Sequence, residues 1–207
     1  MTRRPTITSS DKNLWWETKS KKEILKSSIF GVSEVRRSGP DGSEGDFIVL
    51  DAPSWVNVIV PLTLCHEATF CFDDFLMVKQ FRHGSGTITM EFPAGAIDKN
   101  ESPLEAAKRE LKEESGYTAK EFFYLGGVNP NPAFMSNKTH TFVAVGAQKR
   151  GGLNLDPLEA LCPLVVKRSA IEEEIKKGDK GLMNNAIMIM AWQLFTSWEQ
   201  DYLNQIN

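Results

Sequence analysis

The stretch RELKEESG, Arg109 to Gly116, constrains this chain more than any other, because both the ends and the faces of its helix are specified. Ser102 and Glu105 have the S-x-x-E spacing of a capping box, in which each satisfies a backbone N–H of the other's residue. Pro103 falls at the first helical position, where its missing N–H is harmless. Gly116 stands where a left-handed residue ends a helix. Leu104, Ala107 and Leu111 make an apolar stripe. On such a helix Glu110, Glu113 and Glu114 share one face, being three and four residues apart. Like charges at that spacing are unfavourable by roughly 0.2–0.5 kcal/mol per pair. Glu113 has Arg109 four residues back, but Glu110 and Glu114 have no basic residue at a helical neighbour position. They are solvated, or a charge from outside the helix neutralises them.

The rest of the chain narrows what that charge can be. With 207 residues, 41% hydrophobic and 25% charged, the sequence is ordinary for a globular protein. Its length suits one domain, or one domain with a small N-terminal subdomain. A formal net charge of −3 gives no global pull toward nucleic acid or an anionic membrane. No apolar run reaches 18 residues, so no membrane span is expected. Thr2 to Lys12 is polar and lacks the apolar core of a signal peptide. Cys65, Cys71 and Cys162 form neither a disulfide framework nor a C-x-x-C pattern, which suits a reducing, cytoplasmic setting. His66, His83 and His140 have no ligand spacing and read as ordinary surface or core residues.

Ile29–Arg37 and Asp46–Asp51 read as strands joined by the turn-rich SGPDGSEG, a hairpin. Trp15–Ser28 is polar and basic, a short helix or an arm. Val56–Leu64 is a strand. Asp73-Asp74 reads as a turn between strands Thr69–Phe72 and Phe75–Phe81. Beyond the capped helix, strands are expected at Phe122–Val128, Thr139–Val145 and Leu161–Val166, and helices at Ala170–Lys177 and Leu182–Trp198. The acidic run Glu172–Glu174 reads as a solvated helix face. HGSG, His83 to Gly86, is a loop and not the G-x-S-x-G of a serine hydrolase.

Read outward from the glutamates, Gly95 to Tyr117 matches the pattern G-x5-E-x7-R-E-U-x-E-E-x-G-U through Gly95, Glu101, Arg109, Glu110, Leu111, Glu113, Glu114 and Gly116. Tyr117 holds the final apolar position. Seven fixed identities make a chance match roughly one in a billion per window. The segment resembles the Nudix hydrolase signature. The flanking VKQFR, MEFPAG and ESGY, with Pro132 in NPNPAFMSN, resemble the ADP-ribose and nucleoside-diphosphate-sugar pyrophosphatase branch of that family.

The resemblance implies an α+β fold, an α/β/α sandwich on a mixed central sheet, with a small N-terminal β-hairpin subdomain. Residues 1–54 would be an arm and dimerisation subdomain, and 55–207 the Nudix domain. Hard divalent cations favour oxygen ligands, and the resemblance assigns Glu110, Glu113, Glu114 and the Ala94 carbonyl to Mg²⁺, for which Mn²⁺ can substitute. Arg109 would orient the glutamates, and within the helix it also reaches Glu105. Arg82 would contact substrate, since a guanidinium suits phosphate oxygens, and Glu91 is either a further carboxylate near the metal or structural. The base for the attacking water would lie in GGLNLDPLEALCPL, where Glu159 is the sole glutamate. Asp156 and Glu113 are the alternatives. Trp55, Trp15 and Trp16 are candidates to stack on a base, Trp55 first, with packing at a subdomain junction as the other reading. The implied reaction is Mg²⁺-dependent hydrolysis of a nucleoside diphosphate linked to another moiety, first ADP-ribose to AMP and ribose 5-phosphate, by a cytoplasmic homodimer. The alternatives are a GDP- or UDP-sugar pyrophosphatase, or a nucleotide sensor that does not cut.

Overall fold

The structure is a computed structural model that describes residues 8, 10–65 and 71–206. The chain clusters into two compact units, Met1–Pro53 with Asn131–Asn137, and Ser54–Pro130 with Lys138–Asn207.

The first unit is a three-stranded antiparallel sheet, β1 (Glu17–Lys26), β2 (Gly31–Ser38) and β3 (Glu44–Asp51), in that order. The expected hairpin is β2–β3, and its turn closes with Gly39 N–H donating to Ser43 O at 2.8 Å and with Gly42 at φ 84°. Trp15–Ser28 is neither helix nor arm. A 3-10 turn at Asp11–Leu14 leads into β1, whose ten residues are all exposed. With both faces wet, β1 carries no alternating apolar pattern to betray it. Asn131–Asn137 adds to β3: Leu50 N–H donates to Phe134 O at 2.7 Å and Ser136 N–H to Leu50 O at 3.1 Å. Asp51 anchors this edge, accepting from Ser33 and Ser136 and pairing with Lys21.

The second unit is built on a seven-stranded mixed sheet. Its path runs β12 (Leu161–Lys167), β5 (Cys71–Arg82), β4 (Trp55–Cys65), β10 (Thr139–Val145), β9 (Glu121–Val128). Short strands β6 (Thr87–Glu91) and β7 (Ala94–Ala96) pair with β5 and β4. A separate two-stranded ribbon joins β8 (Tyr117–Thr118) to β11 (Gln148–Lys149). The β4–β10 ladder is parallel, and every other pair in the sheet is antiparallel.

Alternation along the strands sorts side chains to two faces. Val56, Val58 and Val60 of β4, with Leu76, Phe142 and Ala144, pack under α1 (Pro103–Ser115) through Ala106, Ala107 and Leu111. Leu104, expected in that stripe, is exposed instead, and Ala106 takes its place. Ile59, Phe75, Met77 and Val143 face the other way, toward α2 (Arg168–Lys176) and α3 (Ala186–Ile206). Of the methionines near the start of α3, Met183 and Met188 are core. On this face Glu199, 5% exposed, is gripped by Arg168 Nη2 at 2.5 and 2.6 Å and accepts from Phe72 N–H at 2.8 Å. The Arg168 guanidinium lies 5.2 Å from the Trp192 ring centroid.

β5 passes straight through Asp73 and Asp74, where a turn was expected. Lys167 on the neighbouring β12 supplies the reason: its Nζ lies 2.8 Å from Asp73 and 2.9 Å from Asp74. The cation comes from 93 residues away in sequence, beyond any local turn rule. Of the expected strand Thr69–Phe72, residues 69 and 70 lie outside the described residues, as does His66. Among the other histidines, His140 Nδ1 meets Tyr124 Oη at 3.0 Å, and the His83 ring lies edge-on to Phe81.

Candidate active site

α1 begins and ends as its sequence dictates. Ser102 Oγ accepts from Glu105 N–H at 3.3 Å, Glu105 Oε2 accepts from Ser102 N–H at 2.8 Å, and Pro103 opens the first turn. Gly116 takes φ 73° and its N–H donates to Lys112 O at 2.8 Å. A side chain at Gly116 is excluded twice over, since a Cβ there would sit 2.2 Å from Gly151 O. Gly116 O in turn accepts from the N–H groups of Arg150 and Gly151, and Glu113 O from Asn154 N–H. The helix end thereby holds the start of the loop that carries Glu159.

Arg109 is the hub of the helix. Nε and Nη2 grip both oxygens of Glu101 at 2.9 Å, Nη2 also donates to Ala96 O at 2.9 Å, and Nη1 reaches Glu110 at 2.7 Å and Glu113 at 3.1 Å. Two expectations change here. Arg109 bonds Glu101, while Glu105 is held in the capping box. Glu110 does have a basic partner, its immediate neighbour, because the long guanidinium folds back across the helix. Even so, burial pushes the Glu110 carboxyl up to about 6, against the pull of Arg109 and with Glu113 and Glu159 adding repulsion.

Glu114 is more isolated. It is 1% exposed; Oε2 accepts from Ala94 N–H at 2.9 Å, while Oε1 is buried without a partner. Burial raises its pKa well above the usual carboxylate range, Ala94 N–H opposes, and Glu110 and Glu159 raise it further. Gly95 makes room for Glu110: a Cβ there would lie 2.0 Å from Glu110 Oε1.

Beside these carboxylates lies a cavity of about 280 Å³, lined among others by Trp55, Arg82, Glu91, Ala94 and Gly95. Arg82 Nε and Nη2 donate to the two oxygens of the fully buried Glu91 at 2.9 and 2.6 Å, and Thr89 Oγ1 donates to the same carboxylate at 2.7 Å. Burial raises the Glu91 pKa, but the bonds from Arg82, Thr89 and Asn185 outweigh it and hold the group below its ordinary value. Glu159 is near enough to this set to act electrostatically on Arg82, Glu110 and Glu114. Asp156 sits on the exposed side of the same turn, its carbonyl accepting from Glu159 N–H at 2.9 Å. Pro132 belongs to the first unit, where it lines a hollow with Trp15, Trp16 and Phe47. Asn57, Thr139 and Asn185 also line the cavity, and sequence reasoning passed over them. One signal was there: Asn57 interrupts the apolar run VNVIV of a buried strand.

The donor set suits a hard divalent cation: carboxylate oxygens, among them a Glu114 oxygen that is buried and unsatisfied. Among the described residues no three His, Cys, Asp or Glu side chains stand together at ligand spacing. Arg109 Nη1 holds both Glu110 and Glu113.

A family model described as the NUDIX domain matches residues 55–179. The chain is 31% identical over 133 residues to the ADP-ribose pyrophosphatase of Bacillus subtilis (strain 168), covering 64% of this chain and 68% of that protein. It is 36% identical over 108 residues to the ADP-sugar pyrophosphatase of Mus musculus, covering 52% and 46%, so the match spans about half of that relative. A solved structure, the crystal structure of ADP compounds hydrolase, superposes with a TM-score of 0.73 over 90% of this chain and 95% of the other. At 22% identity that likeness shows the shared fold, the α+β arrangement the resemblance implied.

Proposed function

The chain belongs to the Nudix family, and from that premise we propose that it hydrolyses the diphosphate bond of a nucleoside diphosphate linked to another moiety, with ADP-ribose first among the candidates. The observation that carries the reading is Glu114, whose Oε1 is buried without a partner and whose carboxyl feels Glu110, and whose other oxygen is bonded to Ala94 on the wall of the cavity that Arg82 also lines. The similarity to an ADP-ribose pyrophosphatase and an ADP-sugar pyrophosphatase supports the substrate class.

In this reading Glu110, Glu114 and the Ala94 carbonyl would hold Mg²⁺, or Mn²⁺ in its place, with Glu113 beside them. When bound, the cation supplies positive charge to the diphosphate and lowers the pKa of water. Arg82 presents N–H groups to phosphate oxygens, its guanidinium plane fixed by Glu91. Glu159 accepts a proton from the attacking water, with Asp156 and Glu113 as the other carboxylates within reach of that role. One water adds to phosphorus, the bridging P–O bond breaks, and two monophosphates leave. For ADP-ribose these are AMP and ribose 5-phosphate. Arg109 touches no reacting atom; it sets the positions of Glu110 and Glu113. Trp55 lines the cavity and is the first candidate to stack on a base. Residues 1–54 are proposed to mediate a homodimer, and the sparse cysteines favour a cytoplasmic setting. Among the described residues no helix is long and apolar enough to cross a membrane.

The test is turnover of purified protein on ADP-ribose and on GDP- and UDP-sugars, with Mg²⁺, Mn²⁺ or a chelator. Expected is cation-dependent release of AMP from ADP-ribose. Turnover of a GDP- or UDP-sugar alone would reassign the substrate. A stable complex with uncleaved nucleotide in Mg²⁺ would make the chain a sensor.

A further inference from the structure

The mechanism above leaves four buried polar atoms of the cavity region without a role. Asn57 is 0% exposed, and both its Oδ1 and its Nδ2 lack a hydrogen-bond partner. Thr139 (1% exposed) and Thr141 (0%) have unpartnered Oγ1 atoms. The parallel β4–β10 register sets Asn57 opposite Thr141 and Trp55 opposite Thr139. By alternation all three polar side chains share the face of Ile59 and Val143, the α3 side. They therefore form one patch, and Asn57 and Thr139 stand on the cavity wall with Trp55, Ile187 and Met188.

Buried amides and hydroxyls are nearly always hydrogen-bonded, because an unmet group is unfavourable in a dry interior. Neighbours on this wall are not idle in the same way. Asn185 Oδ1 accepts from Ile187 N–H, and its side chain also bonds Glu91. Arg82 is engaged with Glu91. The idle set offers an amide's acceptor and two donors beside hydroxyls that do either. It carries no charge, unlike Arg82 and Glu91 on the same wall. The complement is a neutral group that presents donor and acceptor on one edge, held between apolar walls.

We propose that Asn57, with Thr139, reads the neutral portion of the substrate and so determines specificity. This rests on the diphosphate-hydrolase reading of the site. A nucleobase edge and the adjacent hydroxyls of a sugar share this chemistry. A site built to hydrogen-bond such a group rejects analogues that lack it far more strongly than an apolar pocket does.

The experiment is calorimetric binding of AMP, ribose 5-phosphate and inorganic pyrophosphate in Mg²⁺, for the unaltered chain, Asn57→Leu and Thr139→Val. AMP and ribose 5-phosphate lack the diphosphate bond, so their binding is read apart from turnover, and the pyrophosphate titration is checked for released phosphate. Expected is at least a tenfold loss of affinity for one of the two monophosphates in Asn57→Leu, with pyrophosphate unchanged. Loss for AMP alone assigns the patch to the base, and loss for ribose 5-phosphate alone assigns it to sugar hydroxyls. Unchanged affinity for both means that the patch is met by ordered water only, which overturns the proposal. Equal weakening of all three ligands also overturns it, as a general distortion. Should Asn57→Leu fail to fold, Thr139→Val removes one hydroxyl at nearly constant volume and is read by the same outcomes. An unaltered chain that binds none of the three would sink the diphosphate reading itself, a result distinct from either overturning pattern.

Discussion

Glu114 and Glu199 are both carboxylates taken almost wholly out of water, at 1% and 5% exposure, yet their surroundings differ. Glu199 is complete: Arg168 holds both of its oxygens, and Phe72 N–H adds a third bond. Glu114 has one backbone donor on one oxygen and none on the other. A buried charge with its partners ties α3 to β5 and α2. A buried charge missing its partners is poised for a ligand that brings positive charge. The difference teaches that burial by itself does not mark a site; incompleteness does.

Four measurements test that contrast, in descending order of the change they should produce. Glu114→Gln should lower turnover about a thousandfold, or about 4 kcal/mol in barrier, with the circular dichroism spectrum and melting unchanged. Near-normal turnover in a folded variant would remove Glu114 from the cation site. Arg168→Met should do the reverse. It strands Glu199 in the core and should reduce unfolding free energy by about 3 kcal/mol in urea titrations, while turnover per folded molecule stays near normal. Third, saturating Mg²⁺ should raise the melting temperature of the unaltered chain, by an amount equivalent to about 2.7 kcal/mol at a hundredfold excess over Kd. The same addition should leave Glu114→Gln nearly unmoved; equal shifts in both would place the cation elsewhere.

The smallest effect concerns pH. The Glu91 pKa is lowered in the fold, so its contribution is present above the unfolded value near 4.5 and is lost as pH falls through the folded value. Glu91→Gln should therefore flatten the acid limb of a melting-temperature profile below about pH 4.5. An unaltered acid limb would show that Arg82 does not hold this charge.

What could be read from sequence followed how local its causes were. The span and caps of α1 were legible because Ser102, Pro103, Glu105 and Gly116 act within a few residues of one another. Thr139–Val145 matched the strand residue for residue, a short run of β-branched and aromatic residues that ends in the apolar FVAV of a strand covered on both faces. The unmet charge on Glu114 was visible as well, since no helical neighbour could meet it. Hidden from sequence were causes that arrive from elsewhere. Lys167 crosses from β12 to carry β5 through two aspartates. Arg109 bends back to its own neighbour Glu110, a contact the usual three-and-four spacing omits. Glu101 was seen as one letter of a motif, but its use as a two-toothed anchor for Arg109 needed coordinates. Nor did anything local show that Asn57 faces the α3 side with Thr139 and Thr141, because that depends on the parallel register of β4 and β10.

One strand joins the two regions compared above. β5 holds Glu199 through Phe72 and Glu91 through Arg82, ten residues apart, a reach of roughly 33 Å along an extended chain. A strand slipped by one residue turns each side chain to the opposite face. Such a slip would carry Arg82 away from Glu91 and Phe72 N–H away from Glu199 in the same motion. β5 thus behaves as a common ruler: any sequence change that loosens its register should blunt the enzyme and soften the fold together, with no variant that does only one.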